Sequence, residues 1–124
     1  MNRNQNLLGK CLLVLRRHSE EITDLSFEEW NDLRDQIILI TISLRRQFEP
    51  DHFNYSFLQN QDRHVHMHVI PRYEEHREFA GVLFTDPDYP NHYAIDRPAK
   101  QLSGNVFDQL ADTTRNNIAK TLNI

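Results

Sequence analysis

Apolar residues recur at three- and four-residue steps from Phe27 through Trp30, Leu33, Ile37, Ile40 and Leu44 to Phe48. That spacing draws one apolar stripe along a long helix. Ser26 stands as its N-cap, Glu29 completes a capping box, and Pro50 lies beyond its end. A shorter pattern after Ser103 (Phe107, Leu110, Thr114, Ile118 and Leu122) predicts a carboxy-terminal helix. The apolar run from Gly9 to Leu15 reads as a buried strand, although its periodicity alone leaves a helix open. Asn54–Leu58 alternates weakly and reads as a strand, whereas His64–Ile70 alternates strictly between histidine and apolar residues. In a strand, Val65, Met67 and Val69 would face a core and the three histidines the opposite side. A tight polar turn over 59–63 would join the two strands as an antiparallel hairpin, with Pro71 closing the ladder. Residues 85–98, with three prolines and two tyrosines, predict an ordered loop. The expectation is a single α+β domain over residues 1–124, an antiparallel sheet with one long helix and a C-terminal helix.

Composition narrows the function classes. The net charge of −4 gives no global field to attract nucleic acid or an anionic membrane, so an anionic ligand has to be held by local groups. Cys11 is the single cysteine, which excludes an internal disulfide and a CxxC-type zinc site. No signal peptide or spanning helix is expected, and the expected location is the cytoplasm. A chain this small with a mean hydropathy of −0.67 is expected to bury further surface as a homodimer.

The candidate chemistry lies in His64, His66 and His68. One reading is a half-exposed strand that happens to carry histidines. A second is metal ligation. Neighbouring histidines would sit about 6.7 Å apart at Cα, but the outer pair about 13 Å apart, which strains threefold ligation of one ion. The third is nucleophilic catalysis on phosphorus. Neutral imidazole attacks without a separate base, and its neighbours would fix its tautomer and donate a proton to the departing group. Three imidazoles this close would not all be charged together, so their roles must differ.

His64-Val65-His66-Met67-His68-Val69-Ile70 resembles the motif of the histidine-triad (HIT) family, and Pro71-Arg72 after it is similar too. The likeness extends over residues 2–73 and includes Arg17-His18, the helix from Ser26 and the turn Pro50–Asn54. It implies a nucleotidyl hydrolase or transferase with an antiparallel α+β fold, usually a homodimer. It further implies that His66 is the nucleophile at the α-phosphate, that His68 contacts the phosphate and leaving group, and that His64 orients. His18 would be a fourth site histidine and Asn2 a ribose contact. The glycines and the hydroxyl usual before the first histidine are missing, so Gln59, Asn60 and Gln61 become the candidate phosphate donors. Arg63 falls on the Met67 face, and Arg72 reaches the histidine face only if the strand continues through Pro71, so both are left out of the site. The implied activity is hydrolysis of dinucleoside polyphosphates, the alternatives being an adenosine phosphoramidase or a nucleotide-binding sensor. No tightly bound cofactor is expected, with Mg²⁺ arriving, if at all, on the nucleotide.

Overall fold

Ser26 opens the long helix as its sequence predicts. Its side chain accepts from the Glu29 amide (3.1 Å) and the Glu29 carboxylate accepts from the Ser26 amide (2.9 Å), a capping box that satisfies two otherwise orphaned N–H groups. This helix, α1, spans Phe27–Phe48 in the computed structural model, which describes residues 1–123. Only its second half is buried: Ile40, Leu44 and Phe48 are in the core and Ile37 packs against it, while Phe27 and Trp30 are exposed. The apolar stripe is continuous in sequence, but the first half of the helix borders an open cleft towards β1 instead of packed core. Helix α2, Gly104–Leu122, is capped by Ser103, whose Oγ accepts from the Val106 amide. It buries Phe107, Leu110 and Thr114 and leaves Leu122 in solvent. The Ser43 and Thr121 hydroxyls join α1 to α2 at 3.1 Å.

Three antiparallel strands, β1 (Cys11–Val14), β2 (His52–Ser56) and β3 (His66–Arg72), form a sheet in the order β1-β3-β2. Met67 and Val69 enter one core with Cys11, Phe53 and Leu44, as the alternation predicts. β1 differs from the expected buried strand, because Leu12 and Val14 lie exposed on the face away from that core. β2 begins two residues earlier than expected, and nine residues, 57–65, link it to β3 in place of a tight hairpin turn.

Pro71 does not end the ladder. β3 continues to Arg72, which pairs with His52. β1 accompanies β3 only as far as Val69, so at Pro71 the strand has one neighbour and the missing N–H costs no bond to β1. Gly9, at φ +85°, turns the chain into β1 against this point. A Cβ there would meet Pro71 and Phe48 at 3.3 Å.

The sequence reading also passed over a hairpin, β4 (Arg77–Phe79) and β5 (Val82–Phe84). Ala80 and Gly81 both take positive φ, the geometry that two-residue hairpin turns require. Residues 85–98 are an ordered loop, as expected. Asp86 and Tyr93 of this loop are buried, and Tyr93 packs with Leu7 and Ile70 on the histidine side of the sheet.

Candidate active site

β3 sets His66 and His68 two residues apart on one face, their ring centroids 5.0 Å apart and inclined at 67°. His64 precedes the strand and is held differently. Its Nε2 donates to the Leu15 carbonyl at 2.6 Å, and its ring stacks on His18 at 5.6 Å. The structure therefore brings all four predicted histidines into one row, with His18 reaching it through His64.

A main-chain group fixes the tautomer of His66. Nδ1 lies 2.7 Å from the carbonyl oxygen of His64. A carbonyl only accepts, so Nδ1 carries a proton, and in the neutral ring the lone pair lies on Nε2. Sequence reasoning assigned this task to the two flanking histidines. The His64 backbone performs it, while the His64 side chain ties the site to the end of β1. His68 is half-buried, and its proton affinity is lowered by desolvation, by His66 and by Lys10.

The pre-triad turn is engaged in its own folding. The Gln59 amide donates to the carbonyls of Glu20 and Arg63, so neither of these donor contacts points to a ligand. Gln59, Asn60 and Arg63 line a cleft of about 260 Å³ with Glu20 and Glu21. Asn2 sits beside Lys10, its amide donating to the Lys10 carbonyl and its side chain accepting from the Asn4 amide. A larger cleft of about 660 Å³ between β1 and α1, lined by Leu13, Leu25, Leu33 and Phe57 among others, contains none of the four histidines.

Arg72 does reach the histidine face, because β3 survives Pro71, yet four of its five guanidinium N–H donors are taken within the fold. Nε and Nη2 donate to Asp86 at 2.7 and 3.1 Å, Nη1 to Asn54 and Nη2 to the Asn91 carbonyl, both at 2.8 Å. It anchors the 85–98 loop and takes no part in the open site. Cross-strand register also places Leu12 and Ser56 directly beside His68, and Val14 beside His66. Sequence reading missed Ser56, because its partner becomes visible only with the register. Among the described residues, no three His, Cys, Asp or Glu side chains group to hold a metal ion, and no helix is long and apolar enough to cross a membrane.

Comparison with known proteins agrees with this geometry. The HIT domain model matches residues 3–75. A histidine triad protein from Bradyrhizobium japonicum is similar over 94% of this chain and 79% of its own, with 20% identity and a TM-score of 0.75. One from Sinorhizobium meliloti is 22% identical, covering 87% of this chain and 73% of its own at TM-score 0.73. A hypothetical histidine triad nucleotide-binding protein from Sulfolobus tokodaii is 16% identical over 97% of this chain and 76% of its own, at TM-score 0.69. No curated protein matches. The family match spans more than half of the residues and contains the whole histidine row, and the chain belongs to the histidine-triad (HIT) family.

Proposed function

We propose that the protein is a nucleotidyl hydrolase that opens dinucleoside polyphosphates at the α-phosphate through a nucleotidyl-His66 intermediate. The observation that carries this reading is the bond from His66 Nδ1 to the His64 carbonyl, which puts the lone pair of the neutral ring on Nε2, aimed to attack. Nε2 bonds to the α-phosphorus while the bond to the leaving group breaks, and its electron pair departs with that group. His68 gives the departing oxygen a proton. Water then attacks the phosphorus and passes a proton back to His68, and the phosphorus–nitrogen electron pair returns to Nε2. Leu12 and Val14, exposed beside the two histidines, offer the nucleoside an apolar surface. His18 and His64 buttress the row, while Asn2, Asn60 and Gln61 are the remaining candidates for polar contact with the ribose and phosphates. The chain's own residues carry every step, with Mg²⁺ entering on the nucleotide alone. A lone buried thiol at Cys11 suits a reducing cytoplasm.

The test is to trap the intermediate. Radiolabelled diadenosine tetraphosphate is mixed with the protein, the reaction is quenched in alkali, and the protein is assayed for an acid-labile adduct. Label is expected on the wild type and absent from His66→Ala. Bound nucleotide without an adduct would make this a nucleotide-binding protein without turnover.

The same reading includes a homodimer. Phe27, Trp30 and Ile38 leave apolar side chains exposed along α1, more than a lone helix face needs, and a second copy would cover them. Sedimentation should give twice the chain mass for the wild type and a monomer for Trp30→Glu. A monomeric wild type at tens of micromolar would remove the dimer from this proposal.

A further inference from the structure

The pre-triad turn carries no hydroxyl and engages Gln59 in its own folding, which leaves it only the uncharged Asn60 and Gln61 among the candidate phosphate donors. The structure supplies hydroxyls and a cation at a different place. Ser56 of β2 is the register partner of His68, so its side chain stands on the histidine face within about 5 Å of the His68 Cβ. Its Oγ lies 2.9 Å from the Tyr93 hydroxyl, which the 85–98 loop delivers over Ile70. Both groups are hydroxyls and one of them must donate to the other, so the pair keeps a further proton to offer a ligand.

Lys10 completes this corner. It directly precedes β1, two residues before Leu12, the other register partner of His68. Its ammonium donates to the neutral Asn6 side chain at 2.8 Å, and Asn6 in turn donates to the Pro98 carbonyl. Among the described residues no carboxylate pairs with Lys10, whereas the nearby Arg97 is paired with Asp88. Arg97 also keeps a buried nitrogen, Nη1, without a partner. Burial and the Arg97 charge both disfavour the Lys10 cation, which accordingly ionises below the ordinary lysine range. Lys10 in turn disfavours a proton on His68. A partly desolvated cation such as Lys10, without a carboxylate of its own, is stabilised by an anion that arrives.

We propose that the hydroxyls of Ser56 and Tyr93, with the Lys10 ammonium, form a second phosphate subsite beside His68 that holds the phosphate on the departing side of the bond His66 attacks. This rests on reading His66 as the nucleophile at the α-phosphate. The subsite selects leaving groups that carry a phosphate over those that carry none. It also keeps His68 protonated to higher pH when occupied, because the incoming anion offsets the Lys10 charge that disfavours its proton.

Binding of ADP and AMP to the full chain, measured calorimetrically without Mg²⁺, tests the subsite apart from catalysis. The wild type should bind ADP tighter than AMP by about tenfold or more. Lys10→Met and Tyr93→Phe should bring that ratio towards one while AMP affinity changes by less than about twofold, and Lys10→Arg should retain the preference. Tyr93→Phe keeps the ring that packs on Ile70, so its loss reports the hydroxyl. In turnover, both variants should slow diadenosine tetraphosphate, and Tyr93→Phe should slow adenosine 5′-phosphoramidate, which carries no second phosphate, far less. A wild type that binds ADP no more tightly than AMP, or binds neither, overturns the subsite, as does an equal loss for both ligands. No His66 adduct together with a Lys10-dependent ADP preference would sink the catalytic reading and keep the subsite. An adduct without the preference would do the reverse.

Discussion

Asp86→Ala is expected to destabilise the fold by about 3–5 kcal/mol, because it strands a buried guanidinium. Arg72 and Asp86 expose 2% and 0% of their side chains. Asp86 accepts from Nε and Nη2 of Arg72 and also from the Tyr73 amide at 3.2 Å. Alanine removes all three acceptor contacts, and water has no ready path to replace them. An ion pair on α2 provides the contrast: Asp112 pairs with Arg115, but both are about two-thirds exposed or more, so Asp112→Ala should cost no more than about 0.5 kcal/mol. Asp86→Asn keeps the volume and some of the accepting capacity and should fall between the two. Urea unfolding followed by circular dichroism measures all three. An Asp86→Ala loss within about 1 kcal/mol of wild type, the range of one ordinary hydrogen bond, would mean that solvent reaches Arg72. The consequence for function runs through Tyr93. Arg72 holds the loop by the Asn91 carbonyl and lies 5.7 Å from the Tyr93 ring, so loosening it also loosens the wall beside His68.

The parts legible in the sequence are those governed by local periodicity. Alternation across 65–69 placed Val65, Met67 and Val69 inside and the histidines outside, and Ser26 with Glu29 marked the start of α1, all as found. The errors arose where one element's fate depended on another's extent. Phe27 and Trp30 share a stripe with Leu44, but only the second half of α1 packs into the core. Pro71 reads as a terminator unless it is known that β1 stops at Val69. The β4–β5 hairpin depends on two residues at positive φ, Ala80 and Gly81, and alanine gives no warning of that conformation. In the site, the family motif singles out His66, and the alternation cannot say that the His64 carbonyl, rather than its ring, sets the tautomer. Ser56, Tyr93 and Lys10 come from three separate segments: Ser56 comes beside His68 only through register, and Tyr93 reaches Ser56 only through loop placement. Binary patterns carry no information of that kind.

His66→Ala should lower turnover of diadenosine tetraphosphate by about 10⁴-fold and abolish the covalent adduct, because no other group replaces an attacking lone pair. His68→Ala should separate from it. The nucleophile remains, so an adduct still forms from a substrate whose leaving group needs no proton, such as a nitrophenyl ester of AMP. Substrates with a basic leaving group should slow by about 10²–10⁴-fold, the usual contribution of a general acid. The pH dependence follows from the same environment. Desolvation, then His66 and Lys10, lower the proton affinity of His68 below the ordinary histidine range. A general acid works only while protonated, so kcat/KM for a basic leaving group should fall as pH rises through that lowered value. Lys10→Met removes one of the depressing charges and should move this limb to higher pH, even as it weakens phosphate binding. The nitrophenyl ester should lack the limb altogether. Stability has the matching sign: a histidine that resists protonation in the folded state favours folding above its unfolded pKa, and this contribution is lost as pH falls. An alkaline limb that persists unchanged in His68→Ala, or appears equally with the nitrophenyl ester, would assign the proton to another group.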